Sequence, residues 1–176
     1  GSSANTANDN FTFVAAPAIA SVSPSSGPTS GGTSVVITGT DFTGVTAVSF
    51  GGTAASGFTV DSATQITATS PAGAAGQVDI AVTAIGGSSA NTANDNFTYV
   101  AAPAITSLSA SSGPFLGGTT LTITGTDLSG ATKVSFGSTD VLAAAFTSNS
   151  GTEIVLTTPA GTAGAVSVTV TTPYGT

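Results

Sequence analysis

Lys133 is the only basic residue in a chain that also contains no His and no Cys, and this inventory limits the chemistry open to it. Nucleophilic catalysis needs a base beside the Ser or Thr that attacks, so a Ser–Lys arrangement would have to use Lys133. In Lys133-Val134-Ser135-Phe136 the apolar pair Val134 and Phe136 marks the inward face, which turns Lys133 outward. The same alternation argues against an isopeptide crosslink between Lys133 and an Asn near Glu153, because that reaction needs a buried lysine. Glycoside hydrolysis needs two carboxylates across one bond, whereas the acids here are scattered one per loop. Asp41 and Asp127 each close a Gly-Thr-Asp turn, where Asp commonly bonds its own backbone. Asp9 in Asn8-Asp9-Asn10 and Asp95 in Asn94-Asp95-Asn96 could offer oxygen to calcium, but one carboxylate flanked by amides is a thin supply. The expectation is a chain with no catalytic residue, no metal site and no cofactor.

Charge narrows the partners. Eight acids against one base give a net charge of −7, which disfavours nucleic acid and anionic membrane surfaces, since both are recognised through Lys and Arg. No run approaches the roughly 18 apolar residues of a membrane-spanning helix. Charged residues make up only 5% of the chain, so Ser, Thr, Asn and Gly must supply its polar surface. The absence of Met is expected of a mature or excised segment. Asn10-Phe11-Thr12 and Asn96-Phe97-Thr98 are acceptor patterns for N-glycosylation in an organism that performs it.

The elements that position these residues come in two copies. Residues 1–19 recur as residues 87–105 with one change, Phe13 against Tyr99. The repeat continues with Gly31-Gly32-Thr33 against Gly117-Gly118-Thr119, and with Val48-Ser49-Phe50-Gly51 against Val134-Ser135-Phe136-Gly137. After a two-residue insertion, Pro71-Ala72-Gly73 pairs with Pro159-Ala160-Gly161. Within each copy apolar residues alternate with polar ones: Val35 and Ile37; Val48 and Phe50; Ile66 and Ala68; Val78, Ile80 and Val82. The second copy answers with Leu121 and Ile123; Val134 and Phe136; Ile154 and Leu156; Val166, Val168 and Val170. Period-two alternation broken by Gly, Pro, Ser and Asp predicts antiparallel strands with one buried face, hence an all-β sandwich or barrel. Lys133 has Ala47 as its counterpart, so the module does not need it to fold.

The motifs within each copy resemble the IPT/TIG domain family. The first copy carries Pro17-x-Ile19, Ser23-Pro24-x-x-Gly27-Pro28, Gly31-Gly32-Thr33, Ile37-Thr38-Gly39, Phe42, Val48-x-Phe50-Gly51, Pro71, Gly76 and Phe97-x-Tyr99. The second departs at Ala110 for Pro24 and Leu128 for Phe42. The resemblance implies two tandem immunoglobulin-like β-sandwich modules, and it implies a fold more than a function. The paired glycines are read as turns requiring positive φ, since no helix follows to make a phosphate cradle. Phe115 and Tyr174 have no aromatic counterpart in the other copy, which makes them the contact residues expected if the protein binds a ligand.

The repeat register predicts module boundaries. A first module spans 17–100 and closes with Phe97-Thr98-Tyr99-Val100. A second spans 103–176 and stops before its own closing strand, while residues 1–14 are a closing strand without a module. Phe11 and Phe13 are therefore expected to complete the second module of another copy or a neighbouring repeat. The expected function is a structural or adhesive repeat segment of an extracellular, cell-surface protein or filament, with further copies of itself as partner. The alternative is a glycan- or protein-binding module of a secreted multidomain protein.

Overall fold

Alternating apolar residues become strands whose inward side chains fill two separate cores in the computed structural model, which describes residues 11–176. The chain divides into two compact units: one holds Gly32–Pro71 and Gln77–Thr98, the other Tyr99–Thr176 together with Gly27–Gly31 and Ala72–Gly76, and the strands are grouped below by sequence module. In the first module the strands are β1 (Ala18–Ser23), β2 (Ser26–Pro28), β3 (Ser34–Thr40), β4 (Ala47–Phe50), β5 (Thr53–Ala54), β6 (Gly57–Ser62), β7 (Gln65–Thr69), β8 (Gly76–Ala84), β9 (Gly87–Ser88) and β10 (Asn96–Val100). One sheet has the order β1-β3-β7-β6 and the other β2-β10-β8-β4-β5, with β9 on β8. The second module follows with β11 (Ala104–Leu108), β12 (Thr120–Thr126), β13 (Lys133–Phe136), β14 (Thr139–Leu142), β15 (Phe146–Asn149), β16 (Glu153–Thr157) and β17 (Val168–Thr171). Its first sheet, β11-β12-β16-β15, repeats that of the first module, and its second has only three strands, β14-β13-β17. A three-residue 3₁₀ turn at Ala143–Ala145 is the helical element among the described residues.

The register follows the hydrophobic pattern. Val35 opposes Ala68 and Ile37 opposes Ile66 across β3 and β7, and all four are buried. Leu121 opposes Leu156 and Ile123 opposes Ile154 across β12 and β16, again all buried. A slip of one residue would turn each set to solvent, so burial fixes the pairing. Phe42 and Leu128 occupy equivalent core positions and are both fully buried, which is why that departure between the copies is tolerated.

The turn motifs also take the expected form. Gly31, Gly32, Gly117 and Gly118 all have positive φ, between 75° and 90°, a region that side chains disfavour. Among the described residues Asp41 and Asp127 are the non-glycine residues with positive φ, at 61° and 55°, a conformation Asp tolerates better than most.

One strand departs from the sequence pattern. Val166 is in phase with Val168 and Val170, yet β17 starts only at Val168 and Val166 is 52% exposed. Its counterpart Val78 lies inside β8, which is hydrogen-bonded on both sides, to β4 and to β10. Strand β17 pairs with β13 alone, so nothing extends the ladder back to Val166. Periodicity marks the residues suited to a strand; a partner is still needed to make one.

Candidate functional site

Two places in the second module gather residues with chemical potential. On the β13–β14 hairpin, Ser135 stands directly opposite Asp140. The Lys133 ammonium donates to Asp140 Oδ2 at 2.8 Å, and the Ser135 hydroxyl donates to Asp140 Oδ1 at 2.7 Å. These bonds hold the Asp140 carboxyl below the ordinary carboxylate range, with the Lys133 bond the larger cause. The Lys133 Nζ is taken up by Asp140 Oδ2 rather than by the Ser135 hydroxyl, so Lys133 is poorly placed to activate Ser135 as a base. Sequence reasoning placed Lys133 outward, as found, and missed Asp140 because the pairing depends on the hairpin register. The first module has Ala47 and Ala54 at the positions of Lys133 and Asp140, so this ion pair belongs to the second module alone.

Asp95 is buried just before β10. Its Oδ2 accepts the Thr92 backbone N–H at 3.0 Å, while Oδ1 has no hydrogen-bond partner. Among the described residues no three acidic, His or Cys side chains gather to hold a metal ion; Asp9 lies outside the described residues.

The second place is a groove of about 310 Å³ in the second module. Its walls include Leu108, Pro114, Phe115, Leu121, Phe136 and Gly161, and no charged residue lines it. The first module shows what occupies the equivalent space. There β10 lies between β2 and β8 and sends Phe97 and Tyr99 into the core, both buried. The Thr98 N–H donates to the Ser25 carbonyl at 2.9 Å and the Thr29 N–H donates to the Val100 carbonyl at 3.1 Å, so the partners advance together as parallel strands require. The Phe97 ring meets Phe50 edge-on, with centroids 5.3 Å apart and planes at 84°. The Tyr99 ring lies over Gly73, where an added Cβ would stand 2.8–3.0 Å from its carbons. That burial raises the Tyr99 pKa above its ordinary value.

The positions that touch β10 in the first module are the ones left open in the second. Phe50 and Ile80 are buried, while their counterparts Phe136 and Val168 are only partly covered. Gly161, the counterpart of Gly73, would meet nothing within 4 Å if it carried a Cβ. The supporting loop is nonetheless formed: the Gly161 N–H donates to the Phe115 carbonyl at 2.8 Å, as the Gly73 N–H does to Thr29 at 2.9 Å. The groove thus has the walls that hold β10 in the first module, with no described strand lying in it.

The other predicted residues can now be placed. Phe11 and Phe13 belong to no strand and are 79% and 90% exposed, their rings packed edge-on at 4.9 Å. Residues 1–10 of the predicted donor segment lie outside the described residues. Phe115, 62% exposed, stands at the groove, whereas Tyr174 lines a separate hollow with Asp127, Ser129, Gly130 and Pro173. The two aromatic residues therefore do not form one contact surface.

A profile described as "IPT/TIG domain" matches residues 17–99 and again residues 103–174. The chain belongs to the IPT/TIG family. Its two IPT/TIG modules agree with the tandem sandwiches expected from the repeat. Solved structures similar to it include SGBP-B from a complex xyloglucan utilization locus in Bacteroides uniformis. That protein is 23% identical, with a TM-score of 0.42, and the match covers 91% of this chain and 47% of that one. The extracellular region of Plexin A4 is 24% identical with a TM-score of 0.48, covering 92% of this chain and 17% of that one. A surface glycan-binding protein of Prevotella bryantii is 17% identical with a TM-score of 0.41, covering 93% and 41%. The chain thus spans less than half the length of each of these proteins. No curated protein sequence matches it. Among the described residues no helix is long and apolar enough to cross a membrane.

Proposed function

We propose that this chain is a structural, adhesive repeat segment of an extracellular protein or filament, joined head to tail through residues 1–14. The observation that carries the reading is the open groove of the second module set beside the filled one of the first. Asn10-Phe11-Thr12-Phe13-Val14 reproduces Asn96-Phe97-Thr98-Tyr99-Val100, the strand that fills that space, with a single change of Tyr to Phe. A sandwich with an unpaired edge and open core is a template for strand addition. A contact between one copy's leading segment and the next copy's second module is heterologous and does not close, so it propagates into a filament. The absence of charged groove residues makes the joint an uncharged one, and its strength should change little with salt. Nothing in this role calls for catalysis or a cofactor.

Sedimentation velocity over a concentration series, on the full chain and on a chain without residues 1–14, tests the proposal. The full chain should grow into species of increasing mass and the shortened one should stay monomeric. Equal association by both would reject residues 1–14 as the joint. Monomers from both would favour the alternative, a module that binds a separate ligand, with Phe115 at the groove as the first residue to replace.

A further inference from the structure

Resting on that reading, we infer that the groove is an acceptor for an extended aromatic–x–aromatic segment, filled by Phe11-Thr12-Phe13 of a second copy, and that Gly161 determines its specificity. Residues two apart on a strand face the same way, so Phe11 and Phe13 enter together while Thr12 faces out. The first module sets the register. Phe97 marks the first ring position, edge-on to Phe50, whose counterpart Phe136 is only partly covered. Tyr99 marks the second, over Gly73, whose counterpart Gly161 faces open space. The backbone bonds transfer in the same way: Ser111 corresponds to Ser25 and Phe115 to Thr29, placing them to bond Thr12 and Val14 of the incoming strand.

Gly161 is singled out because the reason for a glycine there lies in the incoming strand. Within the chain nothing stands within 4 Å of an added Cβ, and its φ lies outside the left-handed region. Its N–H bond to Phe115 survives any substitution except proline. Space for a ring is what the glycine keeps, as Gly73 keeps it for Tyr99. Phe11 and Phe13 are exposed and so open to contact, which supports them as the occupant.

The test titrates a synthetic peptide of residues 6–16 into the full chain carrying Phe11→Ser and Phe13→Ser, by isothermal titration calorimetry. These two exposed replacements remove the chain's own donor without touching either core. Saturable binding of one peptide per chain is expected, and adding Gly161→Val should weaken it at least about tenfold, the scale of an excluded aromatic side chain. The Gly161→Val chain should melt at an unchanged temperature, separating a blocked groove from an unfolded module. A peptide with Tyr at the Phe13 position should bind comparably, and one with Ser there should not. Equal affinity for the Gly161→Val chain would overturn the ring site while leaving strand addition standing. No peptide binding by a chain whose unsubstituted form still associates through residues 1–14 would overturn the groove as the acceptor. No binding together with no self-association would reject the head-to-tail reading itself.

Discussion

Replacing Phe97 with alanine should cost the first module about 3–5 kcal/mol, the usual range for deleting a buried aromatic ring. The side chain is fully buried and meets Phe50 edge-on, so its loss removes apolar burial and an aromatic pair and leaves a cavity between the sheets. The strand that carries it also supplies Tyr99 and bonds Ser25 and Thr29, so weakening its seat loosens the β2–β10–β8 region as a whole. In effect the substitution brings the first module towards the open state of the second. Chemical denaturation followed by Tyr fluorescence and circular dichroism should show the first-module transition moving to lower denaturant, with the second-module transition in place. A loss below about 1 kcal/mol would mean the closing strand matters less to the core than its burial indicates.

Gly39→Ala should be at least as damaging, for a different reason. The added Cβ would stand 2.0 Å from the Ala18 carbonyl oxygen and 2.5 Å from Phe42 Cζ. The first of these is main chain and the second belongs to a fully buried ring, so neither yields cheaply. The site lies beside an irregularity in the β1–β3 ladder, where the register shifts between Ile19 and Ser21. The second module repeats it: the register shifts between Ile105 and Ser107, and a Cβ on Gly125 would stand 2.1 Å from the Ala104 carbonyl. We expect a loss of at least about 3 kcal/mol, the range of severe overpacking. Gly57→Ala, where an added Cβ meets nothing within 4 Å, should change stability by no more than about 1 kcal/mol and serves as control. Matching thermal shifts from both would contradict the steric account.

These two residues show how far the sequence can be read. Phe97 declared its place through alternation with Tyr99, and the near-identical repeat of its surroundings in residues 1–19 is the ground on which the leading segment is proposed as a closing strand. The motif containing Gly39 was visible in both copies, but its cause was not: the obstruction comes from Ala18, about twenty residues away in sequence and brought close only by the bulged pairing. Asp140 escaped notice for the same reason, since facing Ser135 depends on the hairpin register. The strand β6 carries no buried residue, although Phe58 and Val60 alternate with Thr59 and Asp61 in its sequence. Val166 misled in the opposite direction, having the right phase but no neighbouring strand. Gly161 was aligned with Gly73 in the sequence, yet its meaning required seeing Tyr99 over one glycine and open space over the other.

The central claim, that one copy's leading segment fills another copy's groove, is tested most directly by mixing two crippled chains. One carries Phe11→Ser and Phe13→Ser and keeps an intact groove; the other carries Gly161→Val and keeps an intact donor. Each should sediment as a monomer alone, and an equimolar mixture should give a capped 1:1 dimer and nothing larger. Two monomers that ignore each other on mixing, or association by either chain alone, would contradict the account.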